Sequence, residues 1–106
     1  MPYQLLFADD SATMHRVLQI TFAREDFTII GVNNGAAAIA KAKEVKPDVA
    51  VIDISMPGMD GYAVCHSLKS DPATAQIPVL LLAGSQEPFD EARAQASGAN
   101  SHVVKP

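Results

Sequence analysis

Residues Val49 to Gly61 read VAVIDISMPGMDG. Four apolar residues deliver a single carboxylate, Asp53, and the chain then breaks at Pro57, Gly58 and Gly61. A short apolar run bounded by turn residues reads as a buried strand. A carboxylate at the end of such a strand is costly to bury unless something pairs with it or uses it. The stretch therefore asks what Asp53 faces.

The same pattern recurs on either side. Tyr3 to Ala8 is an apolar run that ends on Asp9, Asp10 and Ser11. Ser11 is a good N-cap, and Met14, Val17, Leu18 and Phe22 then fall on one helical face. Phe27 to Val32 is a second strand, and Asn33, Asn34 and Gly35 make the turn after it. Ala38, Ile39, Ala42 and Val45 form the next helical stripe, which Pro47 stops. Val49 to Ile52 is the third strand. Asp60 caps a third helix after Gly61, with Val64, Cys65 and Leu68 inward. Val79 to Leu82 is a fourth strand. Phe89, Ala92 and Ala96 mark the apolar face of a fourth helix closed by Gly98, and His102 to Val104 is a short fifth strand before Lys105 and Pro106.

Strands apolar on both faces, alternating with helices, predict an α/β fold: a doubly wound parallel sheet covered on both sides. Ligands of such sheets bind beyond the carboxyl ends of the strands. Asp9, Asp10, Asp53, the segment Ala83 to Ser85, and Lys105 are thus expected to meet at one edge.

Composition narrows the classes. The chain has 106 residues, 48% apolar and 19% charged, which suits one domain with one core, spanning residues 1–106. A net charge of −4 gives no general attraction to nucleic acid or anionic membrane. No apolar run approaches the roughly 20 residues that cross a bilayer, and no signal-peptide pattern opens the chain. The single cysteine, Cys65, reads as a small core residue in a reducing compartment, so a cytoplasmic protein is expected. His15 and His66 read as solvated helix residues with no metal spacing.

Three carboxylates and one lysine at one edge suggest a chemistry. Carboxylates this close repel unless a cation sits among them. Oxygen-only ligands in an open cleft suit a hard cation such as Mg²⁺. With the metal bound and Lys105 adding a point charge, a phosphoryl group is the natural guest. A strand-end aspartate can act as its nucleophile, because carboxylates form aspartyl-phosphates.

The motifs FADDSATM, DISMPGMDG and VVKP, in that order and each at a strand end, resemble the receiver domain of two-component response regulators, above all the stand-alone chemotaxis type. The resemblance covers the whole chain. It implies a flavodoxin-like sheet of strand order 2-1-3-4-5, an arrangement known for this family. It further implies that Asp53 accepts phosphate from a phosphohistidine on a sensor histidine kinase or phosphotransfer protein. Asp10 would bind Mg²⁺ directly, Asp9 through water, and Ser55 through its backbone carbonyl, while Lys105 would pair with the phosphoryl oxygens. The domain would be a phosphoacceptor switch for an output partner, not an enzyme in the ordinary sense.

Three departures accompany the match. Family members place Thr or Ser at the end of the fourth strand, where this chain has Ala83; Ser85 carries the nearest hydroxyl. The fifth strand carries His102 in place of the usual Tyr or Phe. The family also continues past Lys-Pro into a fifth helix, so an uncovered apolar sheet face and self-association are expected of this chain.

Three other classes compete. A pseudo-receiver that binds partners without phosphorylation is favoured by Ala83 and His102 and opposed by the intact acids. A phosphatase of the haloacid-dehalogenase type needs a D-x-D arrangement after the first strand and a longer chain. A flavin carrier needs a Ser/Thr/Gly phosphate loop where Asp9 and Asp10 would repel phosphate.

Overall fold

The computed structural model describes residues 3–23, 26–84 and 88–105. Nine elements alternate along it: β1 (Tyr3–Ala8), α1 (Ala12–Thr21), β2 (Phe27–Val32), α2 (Gly35–Val45), β3 (Val49–Asp53), α3 (Gly61–Ser70), β4 (Val79–Ala83), α4 (Glu91–Ser97) and β5 (Ser101–Val104). The strands form one sheet in the order β2-β1-β3-β4-β5, and every pairing is parallel. This is the flavodoxin-like arrangement expected. The third and fourth strands each run one residue further than the apolar run alone suggests. Asp53 pairs in register with Leu82, and Ala83 with Val104.

Side-chain alternation divides the sheet into two unequal cores. On one face Leu6, Ala8, Ala50, Ile52, Val79 and Leu81 pack against α2, α3 and α4 through Ala38, Ala42, Val64, Cys65, Leu68 and Ala94. Burying Val64 or Leu68 completely stabilises the fold by roughly 2 kcal/mol each. On the other face Leu5, Phe7, Val51 and Leu82 meet α1 through Met14 and Leu18. No residue of α1 is fully buried, and Ile20 is 69% exposed. Among the described residues α1 is the one helix on this face, and β5 is exposed along its length.

Local chemistry sets where the helices start. Ser11, Asn34, Asp60 and Asp90 each accept a hydrogen bond from the backbone N–H three residues on, at 3.2, 2.8, 2.9 and 3.0 Å. α4 ends on Gly98 in the left-handed region (φ 85°), as its glycine predicts. The inward face of α4 differs from the expected one. Ala94 and Ser97 are buried, while Ala92 and Ala96 are exposed. Phe89 lies before the Asp90 cap and outside the helix, so it does not mark the helix's face, and the Ser97 hydroxyl is satisfied by the Ala94 carbonyl at 2.6 Å. Three alanines at alternate positions carried no signal of which one turns inward.

Candidate functional site

β1 ends at Ala8 and hands on a fixed Asp9. The Asp9 N–H donates to the Val32 carbonyl at 3.1 Å, and its Oδ1 accepts from the Ser11 N–H at 2.9 Å. The residue is fully buried, whereas Asp10 beside it is exposed. Asp53, 1% exposed, ends β3, and its Oδ1 accepts from the Ser55 N–H at 3.3 Å. One carboxylate oxygen from each of Asp9, Asp10 and Asp53 lies within 4.8 Å of the others.

A cation sits among these acids. The β4–β5 ladder runs one residue past β5, with the Lys105 N–H donating to the Ala83 carbonyl at 2.7 Å. That register carries Lys105 Nζ to 3.3 Å from Asp9 Oδ2 and 3.4 Å from Asp53 Oδ1. Burial pulls the ammonium pKa down, but the charges of Asp53 and Asp9 and their hydrogen bonds outweigh it and raise it above its ordinary value. Asp9 Oδ2, buried, has the Lys105 ammonium as its partner among the described residues.

The other expected positions lie around this centre. Ala83 is buried at the end of β4. Ser85 falls outside the described residues. His102 lies away from the carboxylates: its ring stacks on Phe89 at 4.0 Å between centroids and 18° between planes. Phe89 leans on Tyr62, whose hydroxyl accepts from the Asp90 N–H at 2.9 Å. The Arg93 guanidinium covers the Tyr62 ring at 4.5 Å and donates to Asp60 Oδ2 at 2.8 Å. Burial raises the Asp60 pKa, but the Ala63 N–H and Arg93 outweigh it and hold it below the usual value. A row of polar and aromatic contacts thus joins the start of α3 to β5. Cys65 is buried against the Ser97 carbonyl, and burial pushes its thiol pKa up, consistent with a core residue.

His15 corrects the sequence reading. It is half-buried rather than solvated: its Nε2 lies 2.7 Å from the Asp9 carbonyl oxygen, and its ring meets Phe7 edge-on at 4.8 Å. Helical spacing carries no signal of this contact, because the partner lies before the helix. His66 is exposed, as expected.

A doubly wound parallel sheet with clustered carboxylates at its strand ends defines a class of α/β domains. Residues 5–106 match the response regulator receiver domain, and the chain belongs to that family, the receiver domains of two-component response regulators. It is 35% identical over 106 residues to the response regulator PleD of Caulobacter vibrioides, covering all of this chain and 23% of that protein. The chain therefore spans about a quarter of that relative's length. The signal receiver domain of a signal transduction histidine kinase from Syntrophus aciditrophicus superposes with a TM-score of 0.87 at 34% identity, over 98% of this chain and 79% of that one. The Mn²⁺-bound form of response regulator Rcp1 superposes with a TM-score of 0.86 at 25% identity, over 99% and 82% of the two chains. Among the described residues no helix is long and apolar enough to cross a membrane.

Proposed function

We propose that this receiver domain accepts a phosphoryl group on Asp53 from a phosphohistidine of a sensor histidine kinase or phosphotransfer protein, and that the modified state signals to an output partner. The observation that carries this reading is Lys105 held between Asp9 and Asp53, in a pocket whose third acid, Asp10, is open to solvent.

A divalent cation fits the donor set. The ligand atoms on offer are oxygens only, and they lie within 4.8 Å of one another. The Mn²⁺-bound Rcp1 receiver supports the same class of ion. Asp10 would hold the ion directly, Asp9 through water, and Asp53 and the Ser55 carbonyl would complete the protein's share. When bound, Mg²⁺ supplies the positive charge that lets an anionic phosphoryl group lie against three carboxylates.

The chain's own residues do the rest. Asp53 forms the new O–P bond as the donor's P–N bond breaks, and the departing imidazole keeps the electron pair and takes a proton from water. Lys105 Nζ, 3.4 Å from Asp53 Oδ1, lies within reach of the oxygens that this carboxylate would carry. The short loop from Asp53 to the Asp60 cap keeps the carboxylate at the mouth of the sheet.

Incubation with acetyl phosphate and Mg²⁺ is expected to add one phosphoryl group by intact mass. The addition should vanish in Asp53→Asn and in excess chelator. Phosphate persisting on Asp53→Asn would move the nucleophile elsewhere.

A further inference from the structure

We propose that His15 is a positioning residue of the acidic pocket: it fixes the Asp9–Asp10 peptide plane and thereby the pocket's affinity for a divalent cation. The inference rests on the phosphoacceptor reading of the site.

Three contacts seat the ring. Nε2 lies 2.7 Å from the Asp9 carbonyl oxygen, which can only accept, so Nε2 carries the proton. The ring edge meets Phe7 of β1 at 4.8 Å and 68°. The third wall is Gly31 of β2, the register partner of Phe7. A Cβ at Gly31 would stand 2.7 Å from His15 Nδ1 and 3.0 Å from Cε1, so only glycine leaves the ring its place.

The bond acts on one peptide unit. The Asp9 N–H is held by Val32 and the Asp9 side chain by Ser11 and Lys105. What these leave unset is the plane joining the Asp9 carbonyl to the Asp10 N–H. Among the described residues His15 is the side chain that bonds this carbonyl. That plane contains the Asp10 Cα and so sets the base from which its side chain reaches, and Asp10 is the exposed carboxylate of the cluster. Partners that orient a ligand-bearing group typically change metal affinity 10- to 100-fold when removed.

The test is Mg²⁺ titration of the full chain by calorimetry at one pH, with thermal unfolding without metal measured beside it. His15→Phe keeps the ring against Phe7 and removes the donor. His15→Gln places an amide N–H where Nε2 stood. Gly31→Ala keeps His15 and displaces its ring. The expected result is about tenfold weaker Mg²⁺ binding in His15→Phe and in Gly31→Ala, with affinity restored in His15→Gln whatever the Tm of each. A folded His15→Phe chain that binds Mg²⁺ as wild type does overturns the inference. So does a loss that tracks Tm and is not restored by glutamine, because that marks packing alone. If His15→Phe fails to fold, Gly31→Ala is read by the same criteria. A wild-type chain that binds no Mg²⁺ overturns the metal-site reading itself, and this inference with it.

Discussion

Ala83 ends β4 in register with Val104, buried, with a methyl group where family members carry a hydroxyl. A hydroxyl bonded to a phosphoryl oxygen is charge-assisted and contributes about 1.5–3 kcal/mol. On the proposed function only the phosphorylated state would make that bond, so its loss is expected to cut the active-to-inactive ratio by roughly 10- to 150-fold. The domain is expected to take phosphate and yet change conformation weakly. Ala83→Thr should enlarge the NMR shifts that beryllofluoride produces around His102 and Phe89, and a wild-type response of equal size would refute this. Lys105 gives a second prediction at this scale. Its pKa is raised in the folded chain by Asp53 and Asp9, against the opposing effect of burial. The stability it contributes is therefore complete below its unfolded value, near 10.5, and is lost as pH climbs through the higher folded value. Lys105→Met leaves Asp9 and Asp53 buried without their cation and should cost about 3 kcal/mol at neutral pH. Chemical denaturation across pH 7 to 12 should show the alkaline decline in wild type, and the variant should lack that part of it.

α3 begins pressed against the strand end that carries Asp53. The Gly61 N–H donates to the Ile54 carbonyl at 3.1 Å, and a Cβ at Gly61 would run into the Asp53 carbonyl and the Ile54 Cα. These are backbone atoms and cannot swing aside. Gly61→Ala is expected to cost about 2 kcal/mol, a fall in Tm of roughly 10 °C, and to slow acetyl phosphate uptake by displacing Asp53; unchanged uptake with a lowered Tm would separate the two effects. The elements themselves were legible in the sequence. Their apolar runs and N-caps are local signals: Ser11 and Asp60 start the helices where the sequence placed them, while Asn34, read as part of a turn, proves to be the cap of α2. The clustering of Asp9, Asp10 and Asp53 was legible too, because a parallel sheet sends every strand's carboxyl end to one edge. Other features depend on partners far along the chain. The seat of His15 depends on a glycine that register brings beside Phe7. The inward face of α4 depends on its packing against α3, where Cys65 meets the Ser97 carbonyl, and no alanine reveals it. The strand order came from family resemblance, since periodicity leaves many parallel orders equivalent.

Across the whole molecule the two sheet faces are unequally clothed. Among the described residues three helices bury side chains on one face, Tyr62, Val64 and Leu68 of α3 the largest, while the other holds α1 by Met14 and Leu18 and leaves Val103 of β5 45% exposed. Free energies of local opening follow such differences in burial, so α1 should separate from the sheet at far less cost than α2 or α3. Opening α1 also withdraws His15 from the Asp9 carbonyl and Ser11 from Asp9 Oδ1. A cation that needs the intact pocket then binds only the closed form. At ten times its Kd it should slow amide hydrogen exchange in α1 about tenfold. Amides of α4 that exchange by local fraying should be unaffected, because that fraying leaves the carboxylates in place. Equal protection of both helices would contradict this picture. The carboxylate pocket is thus tied to a helix with no fully buried residue, and fraying of α1 alone would release the ion while the sheet stays folded.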